Sequence, residues 1–329
     1  MGRDRDQGKG LTRRKALQQL AAVAGGLALR SEAAELPPEV FDPLRRAGRS
    51  LSDYGRRSRF EFARRAVSGI RGSDVNGSSL TPLADLHGIL TPSSLHFERH
   101  HAGVPELDPA SYRLLVHGRV KRPLLFTLAE LERFPSVSAI HFIECSGNGS
   151  QGYRGTDPRL TAQAVDGLVS TSEWTGVLLS TLLWEAGVEP SARWVVAEGF
   201  DAAAMTRSIP MEKAVADVLV AYGQNGEALR PEQGYPVRLV VPGWEGNINV
   251  KWLRRLEVTE GPAMSREETS KYTDPLPDGR ARIFTWVMDA KSIITHPSGG
   301  MTIKQTGFVE ILGLAWSGLG RVARVEVST

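Results

Sequence analysis

Apolar and polar residues alternate over several short stretches of the chain, a pattern typical of strands that bury one face. Short helices are predicted among these strands, without the regular strand–helix–strand period of a doubly wound sheet. The sequence therefore predicts an α+β fold. The predicted strands are residues 111–120, 138–144, 193–198, 237–241 and 252–258, and the predicted helices are residues 127–133 and 180–186.

The pattern changes after residue 280, where short strand-like runs are separated by turns rich in Gly, Pro and Ser. These runs, at residues 283–288, 307–316 and 321–327, resemble the opening of an immunoglobulin-like β-sandwich. Such a sandwich needs about 100 residues, so we expect an incomplete one over residues 276–329, with unpaired strand edges and reliance on a partner. Before it, residues 80–275 are expected to form the main domain, and residues 35–79 an extended arm with short helical pieces.

Residues 1–34 have the three parts of an export signal. A basic stretch ends in Arg13-Arg14-Lys15, an apolar run reaches Leu29, and small residues at 31–34 offer a cleavage site. The apolar run is too short to span a bilayer, and its Gly25-Gly26 pair suits the twin-arginine route. We therefore expect a twin-arginine signal peptide and a periplasmic protein; the alternative is a basic amphipathic helix. Because this route carries folded proteins, which usually contain a cofactor, the signal also indicates a bound cofactor.

The positive charge of the chain is concentrated in this leader. The whole chain has a formal net charge of +3, from 40 Lys and Arg and 37 Asp and Glu. Residues 1–34 contain seven of the bases and three of the acids, which leaves 33 bases and 34 acids in the body. A nucleic-acid-binding protein keeps a basic excess in its folded part, so we expect no nucleic acid partner. No second apolar stretch has membrane length, so we expect no membrane partner either.

The chain has one cysteine, Cys145, so no intrachain disulfide can form. It follows a predicted strand and begins the loop at residues 145–152, whose glycines let the backbone approach a ligand. Three interpretations stay open: a small buried hydrophobe, a thiolate ligand of a soft metal, or the nucleophile of a cysteine hydrolase. The nucleophile needs a base, and His141, about 13 Å away along a strand, is too far. A residue distant in sequence, such as His100, would have to serve.

Two further segments carry candidate chemistry. Residues 97–101 combine Arg99 with two histidines, and an arginine there suits an oxyanion better than the histidines suit zinc. Residues 241–252 form a Gly- and Asn-rich loop that ends near Lys251 and suits a phosphate, although an ordinary hairpin has the same pattern. The sequence contains no dinucleotide-binding or P-loop motif. Trp174, expected in a turn before a helix, either lines a pocket or belongs to the core.

Together these segments resemble the sulfite oxidase family of molybdopterin enzymes over residues 80–329. Residues 97–101 (FERHH) are similar to the family's Phe-Val-Arg-Asn-His segment, and residues 145–148 (CSGN) to its Cys-Ala-Gly-Asn loop. Within the family the chain is most similar to the molybdenum subunit of sulfane dehydrogenases, SoxC. The other matching motifs are residues 173–177 (EWTGV), the segment around Asp201, and residues 234–238 (GYPVR), 242–252, 268–274 (ETSKYTD) and 278–282 (DGRAR).

The resemblance implies a molybdenum ion bound by one pterin dithiolene and by the thiolate of Cys145. It implies that Arg99 holds an anionic substrate and that Tyr272 donates a hydrogen bond beside the metal. The residues implied to contact the molybdopterin cofactor are Phe97, Glu98, Arg99, His100, His101, Asp201, Gln233, Arg238, Asn249, Val250 and Lys251, with the pterin phosphate held by Arg238, Asn249 and Lys251.

The implied activity is oxidation of sulfur by oxygen-atom transfer, with sulfane sulfur on a carrier protein as the substrate. Animal-type sulfite oxidases have an arginine shortly after the ligand cysteine, where this chain has Gly149-Ser150, and this favours a sulfane over sulfite. With one Cys the chain has no CxxCH haem motif, so we expect the electrons to pass to a separate cytochrome c. A homodimer is expected if the sandwich is complete. The alternatives are a sulfite dehydrogenase and a non-catalytic relative that acts as a binding module.

Overall fold

The computed structural model of the chain describes residues 48–69, 73–154, 157–304 and 306–328. The chain divides into two compact units, residues 1–61 and residues 62–329. The predicted signal peptide lies outside the described residues, and residues 48–61 contain neither helix nor strand. Within the described ranges, no helix combines the length and the apolar character that crossing a membrane requires.

The second unit mixes short strands with short helices, as an α+β fold does. Its strands are β1 (Ala66–Gly69), β2 (Gly77–Leu80), β3 (Glu98–His100), β4 (Leu114–Gly118), β5 (Leu124–Phe126), β6 (Val137–Glu144), β7 (Val169–Leu178), β8 (Trp194–Gly199), β9 (Thr206–Pro210), β10 (Leu219–Gln224), β11 (Glu227–Ala228), β12 (Arg238–Val240), β13 (Leu253–Thr259), β14 (Asp274–Pro275), β15 (Ala281–Arg282), β16 (Lys291–His296) and β17 (Leu312–Trp316). Its α-helices are α1 (Leu128–Leu131), α2 (Ser150–Arg154), α3 (Ala162–Asp166), α4 (Leu179–Ala186) and α5 (Met211–Ala216).

One five-stranded sheet has the order β5-β4-β13-β8-β9. In β4 the residues Leu114 and Val116 are fully buried and their neighbours are not, because alternate side chains of a strand point to opposite faces. β13 lies parallel to β4 and antiparallel to β8, so the sheet is mixed. The strands predicted at residues 111–120, 193–198 and 252–258 are confirmed, with shifted ends.

A second five-stranded sheet has the order β11-β10-β7-β6, with β12 beside β10. β6 confirms the strand predicted at residues 138–144 and ends at Glu144, directly before Cys145. β7 pairs with all of β6, yet it is missing from the predicted strands because its sequence mixes polar, aromatic and glycine residues. The turn expected around Trp174 is therefore wrong: this side chain lies in β7 and is fully buried.

The two predicted helices are both present. α1 is shorter than residues 127–133 and begins with a capping box, in which Thr127 and Glu130 each accept a hydrogen bond from the other's backbone N–H. α4 confirms the helix predicted at residues 180–186 and buries Leu179, Leu182, Leu183 and Ala186, a spacing that places them on one face.

A three-stranded sheet, β1-β2-β3, supports the FERHH segment. β1 and β2 come from the region predicted as an arm with helical pieces, and the described residues of that region form these strands and no helix before residue 80. β2 pairs with β3 so that Ser78 lies opposite Arg99. The pairing fixes the backbone of residues 98–100.

The domain boundaries proposed from the sequence stay predictions.

The last part of the described chain holds two two-stranded sheets, β14–β15 and β16–β17. Residues 283–288 and 321–327, predicted as strands, form none, apart from a single bridge between Val287 and Trp244. β17 lies inside the third predicted run, residues 307–316. The immunoglobulin-like sandwich therefore stays a prediction. In the β16–β17 hairpin, Lys291 lies directly opposite Trp316.

The close approach of β7 to β10 predicts the effect of one substitution. A Cβ at Gly176 would overlap the backbone of Val220 and Ala221. We expect Gly176→Ala to lower the free energy of unfolding by about 2 kcal/mol or more, as overpacked sites do. Gly261→Ala is the matched control, because nothing lies within 4 Å of its added Cβ. It should change the free energy of unfolding by less than about 0.5 kcal/mol in urea unfolding. Equal effects of the two substitutions would contradict the close contact between β7 and β10.

Candidate active site

A cavity with an empty volume of about 690 Å³ brings together loops from both five-stranded sheets. Twelve of the thirteen predicted site residues line it. They are Phe97, Arg99, His100, His101, Cys145, Asp201, Gln233, Arg238, Asn249, Val250, Lys251 and Tyr272.

Glu98 is the predicted site residue that does not line the cavity. Its carboxylate accepts a hydrogen bond from His100 Nε2 at 2.9 Å and forms an ion pair with Arg65. The other ring nitrogen of this histidine, Nδ1, lies 2.8 Å from Lys251 Nζ. Glu98 therefore acts on the cavity through His100, by orienting the ring, and its predicted direct contact with a cofactor is not supported by its placement.

Cys145 is the first residue after β6, and its backbone is held on both sides. Its N–H donates to the carbonyl oxygen of Leu168 at 3.0 Å, and its own carbonyl oxygen accepts from the N–H of Asn148 at 2.9 Å. Burial raises the pKa of the Cys145 thiol, while a hydrogen bond from the backbone of Gly147 and the charge of Arg99 act in the opposite direction. A bound cation at the sulfur would stabilise the thiolate that burial disfavours.

The described residues contain no group of three or more His, Cys, Asp or Glu that could hold a metal ion. Cys145 is a candidate ligand for a soft metal, because a thiolate is a soft donor. The hydrolase interpretation is not supported at His100, the base expected for it. Both ring nitrogens of His100 are already engaged, and His141 lies on β6, where its carbonyl oxygen accepts from Trp174 Nε1 at 3.1 Å.

Arg238, which is buried, and Lys251, which is half-buried, carry positive charges on the cavity wall. The guanidinium of Arg238 donates to the carbonyl oxygens of Gln233 at 3.0 Å and of Asn249 at 3.1 Å, and lies over the ring of Trp174. Burial lowers the pKa of Arg238 to about 9. Burial, and then the charge of Arg238, hold the pKa of Lys251 well below its usual range.

Lys251 Nζ donates to the carbonyl oxygens of Glu232 at 3.0 Å and of Arg99 at 3.3 Å. Among the described residues, no carboxylate lies within ion-pair distance of Lys251 or Arg238. The charges of Glu98, Asp201 and Glu232 act on Lys251 from farther away and compensate it only in part, and a poorly compensated cation in a protein interior is costly. A phosphate entering this part of the cavity would compensate both charges.

Three other predicted residues shape the cavity through their hydrogen bonds. The side chain of Asn249 accepts from Val241 N at 2.7 Å and donates to the carbonyl oxygen of Glu245 at 2.9 Å. Both groups of this side-chain amide therefore hold the backbone of the loop that leads to Lys251. Gln233 Nε2 donates to the carbonyl oxygen of Phe97 at 2.9 Å, and Asp201 Oδ1 accepts from Met205 N at 3.3 Å.

His96 is a cavity residue that is absent from the predicted site. It is fully enclosed, its Nδ1 lies 3.0 Å from the carbonyl oxygen of Phe97, and its Nε2 has no hydrogen-bond partner. Burial lowers the pKa of His96 to about 3, so the ring is neutral at pH 7. An orphaned neutral nitrogen at the wall can bond the edge of a heterocyclic ligand. In the sequence, its position directly before the FERHH segment could have identified it as a site residue.

Tyr272, His101 and Arg99 form the part of the wall near Cys145. The hydroxyl of Tyr272 lies 3.2 Å from His101 Nε2. Burial raises the pKa of Tyr272 to about 12, and burial followed by the charge of Arg99 lowers the pKa of His101 to about 4. At pH 7 the phenol therefore keeps its proton and the imidazole is neutral. Arg99 is held by Asn76 Oδ1 at 2.9 Å and by backbone carbonyl oxygens.

Arg207 in β9 is a second residue that is absent from the predicted site. Only 1% of it is exposed, and its Nε and Nη1 have no hydrogen-bond partner. Its guanidinium carbon lies 5.2 Å from the centre of the Tyr272 ring. The guanidinium of Arg207 therefore packs over the Tyr272 ring. A charged residue inside a run of buried strand residues was the signal that could have identified it.

Comparisons with known proteins agree with this chemistry. A family model described as the oxidoreductase molybdopterin binding domain matches residues 101–267, and one described as the Mo-co oxidoreductase dimerisation domain matches residues 282–329. The chain is similar to the crystal structure of the sulfane dehydrogenase SoxCD from Paracoccus pantotrophus, with 48% sequence identity and a TM-score of 0.81. That match covers 85% of this chain and 73% of the other.

Two curated relatives match a similar share of this chain. Sulfite oxidase of Gallus gallus is 36% identical over 79% of this chain, and nitrate reductase [NADH] of Ulva prolifera is 31% identical over 76% of it. The matches span 61% and 33% of those two relatives. The chain therefore corresponds to part of their length.

The lowered pKa of Lys251 predicts how one substitution changes the pH dependence of stability. The unfolded chain binds the proton of Lys251 more tightly than the folded chain does. Below the unfolded pKa of 10.5 the charged lysine therefore destabilises the fold. The free energy of unfolding rises as the pH approaches 10.5. We expect Lys251→Met, in chain produced without cofactor, to be more stable than the wild type at pH 7. The difference should shrink between pH 9 and pH 10.5.

The measurement is urea unfolding across this pH range. Lys213→Met is the matched control, because Lys213 is paired with Asp217 at 2.7 Å. It should be no more stable than the wild type and should keep the wild-type pH slope. A Lys251→Met chain with that same slope would show that Lys251 is not a poorly compensated cation.

Proposed function

Because the chain belongs to the sulfite oxidase family of molybdopterin oxidoreductases, we propose that it oxidises sulfur compounds by oxygen-atom transfer, with sulfane sulfur on a carrier protein as the substrate. The predicted family and the predicted cofactor, molybdenum with molybdopterin, are confirmed by the family model and the relatives. A molybdopterin domain followed by a dimerisation domain is confirmed in the same way. Substrate, carrier, electron acceptor and location are proposals.

The observation that carries the proposal is the arrangement of one thiol and two cations on the same cavity. Cys145 offers a single soft ligand and no protein cluster competes with it among the described residues. Arg238 and Lys251 supply charge for the cofactor's phosphate, and the neutral His96 supplies a hydrogen-bonding nitrogen for its pterin. The residues present thus fit the cofactor in charge and in donor type.

When bound, the cofactor supplies the oxygen atom and accepts the two electrons released by the sulfur. The protein orients the sulfur compound and keeps its own protons in place. Arg99 holds an anionic end of the substrate, because a guanidinium matches oxyanions through paired hydrogen bonds. Tyr272 donates its hydroxyl proton in a hydrogen bond, and its pKa of about 12 keeps that proton bound.

A sulfane on a carrier protein fits the loop after Cys145. Gly149 and Ser150 add no charge there, and the cations beside Tyr272 are Arg99 and Arg207. The similarity to SoxCD, which is named as a sulfane dehydrogenase, supports the same substrate class. Sulfite is the second candidate, because Arg99 and Tyr272 on the wall suit a small oxyanion.

We further propose that residues 1–34 direct the protein through the twin-arginine route to the periplasm. With one Cys the chain has no CxxCH motif of its own, so a separate cytochrome c is the proposed electron acceptor. The match of residues 282–329 to a dimerisation domain supports a homodimer.

The function is tested by metal analysis and by cytochrome c reduction on the full chain. We expect about one molybdenum per wild-type chain, turnover with carrier-bound sulfane, and loss of turnover by at least about a hundredfold in Cys145→Ser, because the thiolate is the proposed protein ligand of the metal. Asp278→Asn, in an exposed pair with Arg280, is the control and should keep wild-type turnover. Wild-type chain without molybdenum, made in a host that synthesises the cofactor, would favour the binding-module alternative.

Substrate choice is tested at Arg99. We expect Arg99→Gln to raise KM for sulfite about tenfold to a hundredfold with a smaller change in kcat, since one charged hydrogen-bond donor is lost. KM for carrier-bound sulfane should rise less, because the carrier protein supplies further contacts. Arg280→Gln is the matched control and should leave both constants unchanged. A sulfite turnover that exceeds sulfane turnover in the wild type would make the chain a sulfite dehydrogenase.

A further inference from the structure

Glu144, the last residue of β6, lies directly before Cys145 and is completely buried. Its Oε1 accepts hydrogen bonds from Asn148 Nδ2 at 2.9 Å and from Lys291 Nζ at 2.6 Å. Its Oε2 accepts one from Trp316 Nε1 at 2.6 Å. We call these four residues, Glu144, Asn148, Lys291 and Trp316, the Glu144 cluster.

A buried carboxylate is tolerated only when its charge and its oxygens are satisfied. Here one cation and two neutral donors meet this requirement. Lys291 and Trp316 are opposite each other at one end of the β16–β17 hairpin. Two of the three donors therefore come from a part of the chain that contributes no side chain to the cavity wall.

The third donor, Asn148, connects the cluster to the loop of Cys145. Its Oδ1 accepts from Leu168 N at 3.0 Å, and its own N–H donates to the carbonyl oxygen of Cys145 at 2.9 Å. On the other side, Gly246 is so close that an added Cβ would lie 2.8 Å from Glu144 O and 3.2 Å from Cys145 Cα. The backbone of Cys145 is thus held by Asn148 on one side and by close packing against Gly246 on the other. The contact with Asn148 depends on the Glu144 carboxylate.

We propose that Glu144 is a positioning residue for Cys145, and that Lys291 and Trp316 complete it, so that the thiol is fixed in its metal-binding position only when the β16–β17 hairpin is docked. The inference rests on the proposed role of Cys145 as the metal ligand. The hairpin then serves the catalytic site as well as the segment that matches the dimerisation domain. Neither Lys291 nor Trp316 touches the cavity, so their effect passes through Glu144 and Asn148.

The test uses the fact that Cys145 is the only cysteine of the chain. In full-length chain made without cofactor, we measure the rate at which a small disulfide reagent labels this thiol. In the holoenzyme we measure molybdenum per chain and the absorption of the thiolate–metal bond. The variants are Lys291→Met, Trp316→Phe, Glu144→Gln and the double variant Glu144→Gln/Lys291→Met. Asp278→Asn is the control from the same part of the chain.

We expect Lys291→Met and Trp316→Phe each to raise the labelling rate about tenfold or more. Each variant loses one hydrogen bond to a buried charge, and the free energy of that bond corresponds to a change of this size. Both should alter the thiolate–metal absorption. The double variant should label more slowly than Lys291→Met, because it removes the carboxylate that the single substitution leaves uncompensated. This rescue would not occur if Lys291 only stabilised its own hairpin. Asp278→Asn should match the wild type.

Wild-type labelling rates and absorption in Lys291→Met and Trp316→Phe would overturn the positioning role, whatever the molybdenum content. A double variant that labels as fast as Lys291→Met would overturn the coupling through Glu144. Failure of the proposed function looks different: wild-type chain would contain no molybdenum, although the labelling rates could still change. Glu144→Gln keeps the side-chain volume and Trp316→Phe keeps an aromatic ring, so they provide folded variants if Lys291→Met unfolds.

Discussion

Arg238 is buried, Lys251 is half-buried beside it, and neither cation has a carboxylate within ion-pair distance among the described residues. Moving a charge out of water costs several kcal/mol unless an opposite charge compensates it. The fold nevertheless places both side chains on one wall, because β12 carries the first and the loop before β13 carries the second. A chain with this constraint requires an anion at that place, and the phosphate of molybdopterin has the charge that is missing. The other features of the cavity are arranged around this requirement.

The remaining chemistry is divided among separate elements. β6 ends at the thiol, β3 and the segment before it supply His96, Arg99 and the paired His100, and the turn before β14 supplies Tyr272. Each element is anchored by its own contacts, such as the pairing of β2 with β3 or the stacking of Arg207 on the phenol. Each side of the cavity thus has its own support, and Lys251 joins two of them through its contacts with the carbonyl oxygen of Arg99 and the ring of His100.

Much of the fold could be predicted from the sequence where residues alternate clearly, as in β4, β6, β8 and β13. β7 could not, because its order is set by pairing with β6 and β10, which lie far away in sequence. The same distinction holds for the site. Twelve of thirteen residues were placed on the cavity wall by motifs, whereas His96, Arg207 and Glu144 carry no motif. Their importance depends on burial and on partners that only the folded chain brings near.

The Glu144 cluster also determines when the site can be complete. Its carboxylate is joined to Lys291 and Trp316, which lie 147 and 172 positions further along the chain. During synthesis these contacts cannot form until Trp316 has left the ribosome. Loop closure over such separations is slow compared with the formation of local turns and hairpins. The residue that positions the thiol therefore stays without these partners until β17 has been synthesised, and a nascent or interrupted polypeptide that ends before β17 lacks them.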